Sequence, residues 1–244
     1  MIGIKAPRGS AMDCAHRNDL ERVELLYAVR HGQSTSNIAA ETGTYGETDD
    51  MAIGLTDLGQ RQAAAVGRRL VAMAPDERPE LVLCSPYLRA VRTWQAAERE
   101  LCSAAVPLPC YRVHPRLYDR HRGRLAHLPP AAVRERFPDE AAREARDPLG
   151  YRPPDGESFR DVAVRLRDVV ADLEADRRHR RVLIVAHDAV VLYLRQILEN
   201  LTDTEVLAIT EGGLAGNGSL TCWRRAGDGF ALESYDQRDH LPQE

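Results

Sequence analysis

The run Val182-Leu183-Ile184-Val185-Ala186 constrains this chain more than any other stretch. It is continuously apolar, largely β-branched, and flanked by charge at Arg180-Arg181 and His187-Asp188. A half-exposed strand alternates in polarity, whereas an unbroken run of this kind needs cover on both faces, as in the middle of a parallel sheet. Two further strand candidates precede it: Val23 to Val29, and Leu81-Val82-Leu83-Cys84. Helical periods separate them. Thr56 is placed to cap a helix running to about Met73, with Leu58, Ala65, Val66 and Leu70 on its apolar side. Ser85-Pro86 has the form of a helix start, with Ser85 as cap and Pro86 in the first turn. Ser158 to about Asp176 is amphipathic through Phe159, Val162, Val164, Leu166, Val169 and Leu173. Another helix follows His187 to about Leu198, and short strands are expected over Ser219 to Trp223 and Phe230 to Ser234.

Alternating strand and helix predicts an α/β fold, a three-layer sandwich with a mainly parallel central sheet flanked by helices. Residues 23–244 are expected to form one domain. Within it, residues 114–157, rich in Pro, Arg and Gly, make an irregular cap insertion over the sheet edge. Residues 1–22 lack a period and read as a loosely ordered N-terminal extension.

A formal net charge of -4 gives no basic field to hold nucleic acid or an anionic membrane. No apolar run is long enough to span a bilayer, and the N-terminus lacks the apolar core of a signal peptide. Five cysteines without paired spacing argue against a disulfide framework, and without Cys-x-x-Cys a structural zinc site is not expected. A reducing cytoplasm is the expected location. The sequence leaves the oligomeric state open, a homodimer included.

Two strands of similar type each end in a histidine, His31 and His187. The carboxyl ends of parallel strands share one sheet edge, where ligands bind, so the two imidazoles are expected to meet. Arg30 precedes His31, and Arg89 lies near the positive N-terminus of the helix after Cys84. Guanidinium forks match phosphate oxygens, and helix N-termini attract anions. The cap stretch from His114 to His127 adds Arg116, Arg120, His121, Arg122 and Arg124 as a basic lip for an anionic substrate. The acidic stretch Glu41 to Asp50 reads as plain surface loop, Cys84 as core, and Trp94 and Trp223 as packing residues.

Arg30-His31-Gly32 resembles the signature of the histidine phosphatase (phosphoglycerate mutase-like) superfamily, and four downstream blocks follow in that family's order. They are Leu55-Thr56-x-x-Gly59-x-x-Gln62-Ala63, Ser85-Pro86-x-x-Arg89-Ala90-x-x-Thr93, Pro154-Asp155-Gly156-Glu157-Ser158 and Ala186-His187. Ser34-Thr35-Ser36-Asn37 is similar to the phosphate-loop continuation of the first. Five ordered blocks are far more specific than one tripeptide. The resemblance implies a phosphatase acting on a small phosphorylated molecule. His31 would form a phosphohistidine, while Arg30, Arg89 and His187, with Ser34, Asn37 and Arg120, would hold the phosphate and substrate. It implies no metal and no cofactor.

Two positions depart from the family pattern. Leu117-Tyr118-Asp119-Arg120-His121-x-Gly123 resembles the proton-donor segment, with Asp119 where the family usually has glutamate. Asp188 stands where the mutase branch usually has glycine, and the acid phosphatase branch uses an aspartate there as acid. Asp119 and Asp188 are therefore both candidate acids. Two other readings stand beside the phosphatase: a cofactor-dependent phosphoglycerate mutase, and a non-catalytic module that binds a phosphate ligand.

Overall fold

The computed structural model describes residues 22–42, 49–126 and 128–242, with the backbone alone for 40–42. The expected N-terminal extension lies outside these residues except for Arg22, as do His127 and most of the acidic stretch 41–50.

Six strands form one sheet: β1 (Leu25–Arg30), β2 (Leu81–Cys84), β3 (Cys110–Val113), β4 (Arg181–Ala186), β5 (Leu220–Ala226) and β6 (Gly229–Gln237). Their order is β3-β2-β4-β1-β5-β6. The first four are parallel, and β5 and β6 join antiparallel at the β1 side. Among the described residues there are eight α-helices: α1 (Thr35–Thr42), α2 (Asp57–Ala72), α3 (Leu88–Ser103), α4 (Pro130–Arg136), α5 (Pro138–Arg146), α6 (Phe159–Ala175), α7 (Asp188–Leu198) and α8 (Asp203–Gly212). The fold is a three-layer α/β sandwich.

The apolar run of β4 explains the layers. Side chains alternate across a strand. From β4, Val182, Ile184 and Ala186 pack with α6 and α7 residues such as Leu166, Val169 and Val190. Leu183 and Val185 point to the opposite layer, with Val66 and Leu70 of α2 and Trp94 and Leu101 of α3. Full burial of such aliphatic side chains contributes about 1.5–3 kcal/mol each. Thr56 caps α2 by accepting from Gly59 N–H, and Ser158 caps α6 in a reciprocal box with Asp161.

Three expectations differ in detail. Val164 is 59% exposed, because it lies on the solvent side of α6. Ser85 is not the cap of α3, which begins at Leu88 with Tyr87 as N-cap and no side-chain cap bond. β3 escapes an apolar-run criterion because all four of its residues are exposed at the sheet edge. The cap segment contains short helical pieces. It holds α4 and α5 and carries a small core of its own, with Leu125, Val133 and Tyr151 buried together.

Candidate active site

Strands β1 and β4 run parallel with Arg30 opposite Ala186. The next residue of each leaves the sheet at the same level, and these residues are His31 and His187. Their ring centroids lie 5.1 Å apart at an interplanar angle of 66°. Both rings are buried.

His31 Nδ1 lies 2.8 Å from the Gly32 carbonyl oxygen. A carbonyl oxygen can only accept, so Nδ1 carries the proton and Nε2 keeps its lone pair. Arg89 Nε donates to that Nε2 at 3.2 Å. Burial above all, then the neighbouring His187, Arg89 and Arg30, hold the His31 pKa well below the usual 6.5. The His187 pKa is lowered in the same way, by burial first and then by Arg89, Arg30 and Arg165. His187 Nε2 is hydrogen-bonded to Ser85 Oγ at 2.8 Å, so Ser85 fixes the second imidazole instead of capping a helix. His187 Nδ1 lies 3.4 Å from Asp119 Oδ2 but makes no hydrogen bond among the described residues. The Arg30 Nε is likewise buried without a partner. Buried polar atoms left in this way carry a desolvation cost that a ligand bonding to them would relieve.

Distant blocks of sequence fix the His31 loop. Gly32 N–H donates to Thr93 Oγ1 at 3.0 Å, and that hydroxyl donates to the Arg89 carbonyl at 2.8 Å. Gln33 N–H donates to Gln62 Oε1 at 2.8 Å. Gly59 opens α2 directly against Gln33, where a Cβ would overlap the Gln33 carbonyl. The second and third sequence blocks are thus the scaffold of the first.

The arginines meet carboxylates. Arg30 Nη1 donates to the Ala215 carbonyl at 2.7 Å, and Nη2 pairs with Asp188 Oδ2 at 2.9 Å. Asp188 Oδ1 accepts from Ala189 N–H at 2.6 Å. Burial, with help from the nearby Asp119 charge, raises the Asp188 pKa even though Arg30 opposes the shift. Arg89 is buried and donates from Nη2 to Asp119 Oδ2 at 2.9 Å. Its Nη1 donates to the Asp50 carbonyl at 2.8 Å and to Asp50 Oδ1 at 2.9 Å. The end of the acidic stretch is therefore no plain surface loop: Asp50 belongs to the site.

Asp119 sits on a braced loop. Arg165 donates to Glu157 Oε1 at 3.1 Å and to the Arg116 and Asp119 carbonyls at 2.7 and 3.3 Å. Glu157 accepts from Tyr118 Oη at 2.7 Å and from His121 N–H at 3.2 Å. Sequence reasoning placed Glu157 in a block without giving it a role, and missed Arg165 because one arginine on an amphipathic helix carries no signal.

The remaining expected residues make no hydrogen bond to either ring among the described residues. Ser34 turns its hydroxyl to Asn37 Oδ1 at 2.9 Å, away from any ligand role in this arrangement. Asn37 Oδ1 also accepts from Asn217 Nδ2 at 3.2 Å, and Asn217 donates to the His31 carbonyl at 3.0 Å. Asn217 was not expected; the Asn217-Gly218 turn before β5 was its only trace. The Arg120 guanidinium stacks over Phe159 at 3.9 Å, with Nε donating to the Glu157 carbonyl at 3.0 Å. A cavity of about 1090 Å³ runs from Arg89, Asp119 and Asp188 outward beneath the cap, past Arg120, Arg122 and Val133.

The sequence matches the model of the histidine phosphatase superfamily (branch 1) over residues 26–238. The chain belongs to that superfamily. It is 31% identical over 192 residues to a 2,3-bisphosphoglycerate-dependent phosphoglycerate mutase 2 of Gloeobacter violaceus, covering 75% of this chain and 78% of that one. It is 32% identical over 167 residues to a 6-phosphofructo-2-kinase/fructose-2,6-bisphosphatase of Caenorhabditis elegans, covering 68% of this chain and 32% of that longer protein. Among solved structures, a mycobacterial glucosyl-3-phosphoglycerate phosphatase complexed with VO3 superposes with a TM-score of 0.68 at 26% identity, covering 88% of this chain and 99% of that one. The alpha-ribazole phosphatase of Shigella flexneri shares the fold, with a TM-score of 0.72 at 20% identity over 88% of this chain and 96% of that one. Membership of a superfamily of phosphatases and mutases supports a phosphoryl-transfer enzyme. Among the described residues, no helix is long and apolar enough to cross a membrane.

Proposed function

We propose that this histidine phosphatase hydrolyses a small phosphomonoester through a phosphohistidine on His31. The observation that carries the reading is the Nδ1–Gly32 hydrogen bond, which leaves a neutral His31 with its Nε2 lone pair turned to a guanidinium group at the cavity floor. Nε2 attacks phosphorus in line, the N–P bond forms, and the ester P–O bond breaks. Arg30, Arg89, His187 Nδ1 and the Asn37 amide nitrogen take the charge on the equatorial oxygens, which is the main task of a site serving a loose transition state. The leaving oxygen receives a proton from Asp119, whose Oδ2 lies between Arg89 and His187. Asp188 supports Arg30 and is the second possible acid, its raised pKa favouring the protonated form. Water then attacks the phosphohistidine and releases phosphate, restoring His31.

The mutase relative favours a second reading, isomerisation of a phosphoglycerate with a bisphosphate primer. Charge argues for the hydrolase. Each arginine at His31 already has acidic partners, Arg30 with Asp188 and Arg89 with Asp50 and Asp119, so little of their charge is left uncompensated. A mutase must retain a bisphosphate, and a floor balanced in this way holds such a polyanion poorly.

A phosphate-release screen over metabolite monoesters tests the proposal, with His31→Ala as control. Release by the native chain, abolished in the variant, with acid-labile phosphate trapped on His31, is the expected result. Phosphoglycerate isomer forming faster than free phosphate would establish the mutase instead. Among Asp119→Asn and Asp188→Asn, the variant whose loss grows as the leaving group becomes more basic identifies the proton donor.

A further inference from the structure

Arg89 is heavily engaged within the site. A guanidinium has five N–H donors. Four are used inside the protein: Nε on His31, both Nη1 hydrogens on the Asp50 carbonyl and carboxylate, and one Nη2 hydrogen on Asp119. Phosphate is best held by a two-pronged edge of a guanidinium. The Nη1/Nη2 edge is engaged at Nη1 by Asp50 and the Nε/Nη2 edge at Nε by His31, while Asp119 takes one of the two Nη2 hydrogens. No fork is open until a carboxylate yields.

The two carboxylates differ in how firmly they are held. Asp119 is fastened through its backbone and neighbours to Arg165 and Glu157, and those bonds do not depend on Arg89. Asp50 stands on a single 3-10 turn, Asp50–Ala52, whose other two residues are exposed. Its side chain is 35% exposed and lines the cavity, and among the described residues its one ion pair is with Arg89. Of the two, Asp50 has the fewer fastenings that do not run through Arg89 among the described residues.

We infer that Asp50 is a displaceable internal competitor for phosphate: its carboxylate occupies the Nη1 side of Arg89 at rest and gives way when the phosphate of a substrate arrives. The turn at 49–52 then acts as a gate on the anion site. The competition weakens binding of every phosphate ligand by a similar factor, so Asp50 sets the threshold affinity of the site and does not select among leaving groups. This inference rests on the reading of the floor as a phosphate site, whether the chain is hydrolase or mutase.

The test is binding of inorganic phosphate to the full chain, followed by calorimetry, in the native protein, Asp50→Asn and Asp50→Ala. Loss of one charge-assisted competitor is expected to tighten binding by roughly tenfold in both variants. In the native chain, saturating phosphate is expected to speed amide exchange at Met51 and Ala52, whose N–H groups bond to Asp49 within the resting turn. That readout needs no variant. Equal or weaker phosphate binding by both variants would overturn the inference and make Asp50 a positioning residue for Arg89. Unchanged or slowed exchange at the turn would overturn it as well. A native chain that binds no phosphate at all would instead bring down the phosphate-site reading on which it stands.

Discussion

At the scale of single residues, the two imidazoles tie catalysis to stability. Both are held neutral by burial and by neighbouring cationic side chains. A nucleophile with a depressed pKa stays unprotonated below the ordinary histidine range, so kcat/KM is expected to hold through pH 6.5 and fall only at more acid pH. The same shift has an opposite sign for folding. The unfolded chain takes up protons near pH 6.5, while the native chain does not, so stability declines as pH drops through that value. Each such histidine steepens the decline by up to about 1.4 kcal/mol per pH unit. Urea midpoints between pH 7.5 and 5.5 check this: His31→Asn should flatten the slope by about one proton. An unaltered slope would mean that His31 is not the group being kept neutral.

At the scale of elements, the first turn of α2 is a structural part of the nucleophile loop. Gly59→Ala would place a methyl group in the space of the Gln33 carbonyl. Ordinary helix propensity favours alanine over glycine by about 1 kcal/mol, and the clash is expected to outweigh it, for a net loss of roughly 1–3 kcal/mol. Because Gln33 adjoins Gly32, turnover should fall more than stability alone accounts for, and thermal melting beside kcat measurements would separate the two. Elements with a strong apolar period were legible in the sequence. β4 declared itself by its unbroken run, α6 by its cap and stripe, and the meeting of His31 and His187 followed from two strand ends. What escaped detection depends on contacts between segments distant in the chain. β3 is exposed on an edge and needs no apolar pattern. Ser85 reads as a local cap until β2 is placed beside β4, which sets its hydroxyl on His187. Asp50 and Asn217 carry ordinary polar side chains whose role exists only once the 3-10 turn and the loop before β5 are folded over Arg89 and His31.

At the scale of the whole molecule, the candidate site and the cap over its cavity stand on separate cores. The chemistry stands on the sheet, where Ile184 and its neighbours are packed between two helical layers. The cavity roof stands on the cap, whose own cluster is small and whose helices α4 and α5 pack mainly on each other. Elements with few buried contacts open at lower free energy than the global transition. Val133→Ala, in the cap cluster, is therefore expected to leave the global urea midpoint nearly unchanged, while Ile184→Ala costs about 2–5 kcal/mol. The cap variant should instead raise KM for large phosphomonoesters that reach beneath the roof, and spare kcat/KM for a small aryl phosphate that occupies only the floor. Hydrogen exchange supplies the independent check, with α4 and α5 amides losing protection in Val133→Ala and β4 amides keeping theirs. A fall in global stability comparable to that of Ile184→Ala would show that cap and sheet fold as one unit. Substrate choice could not then be altered through the cap without disturbing the site that holds His31.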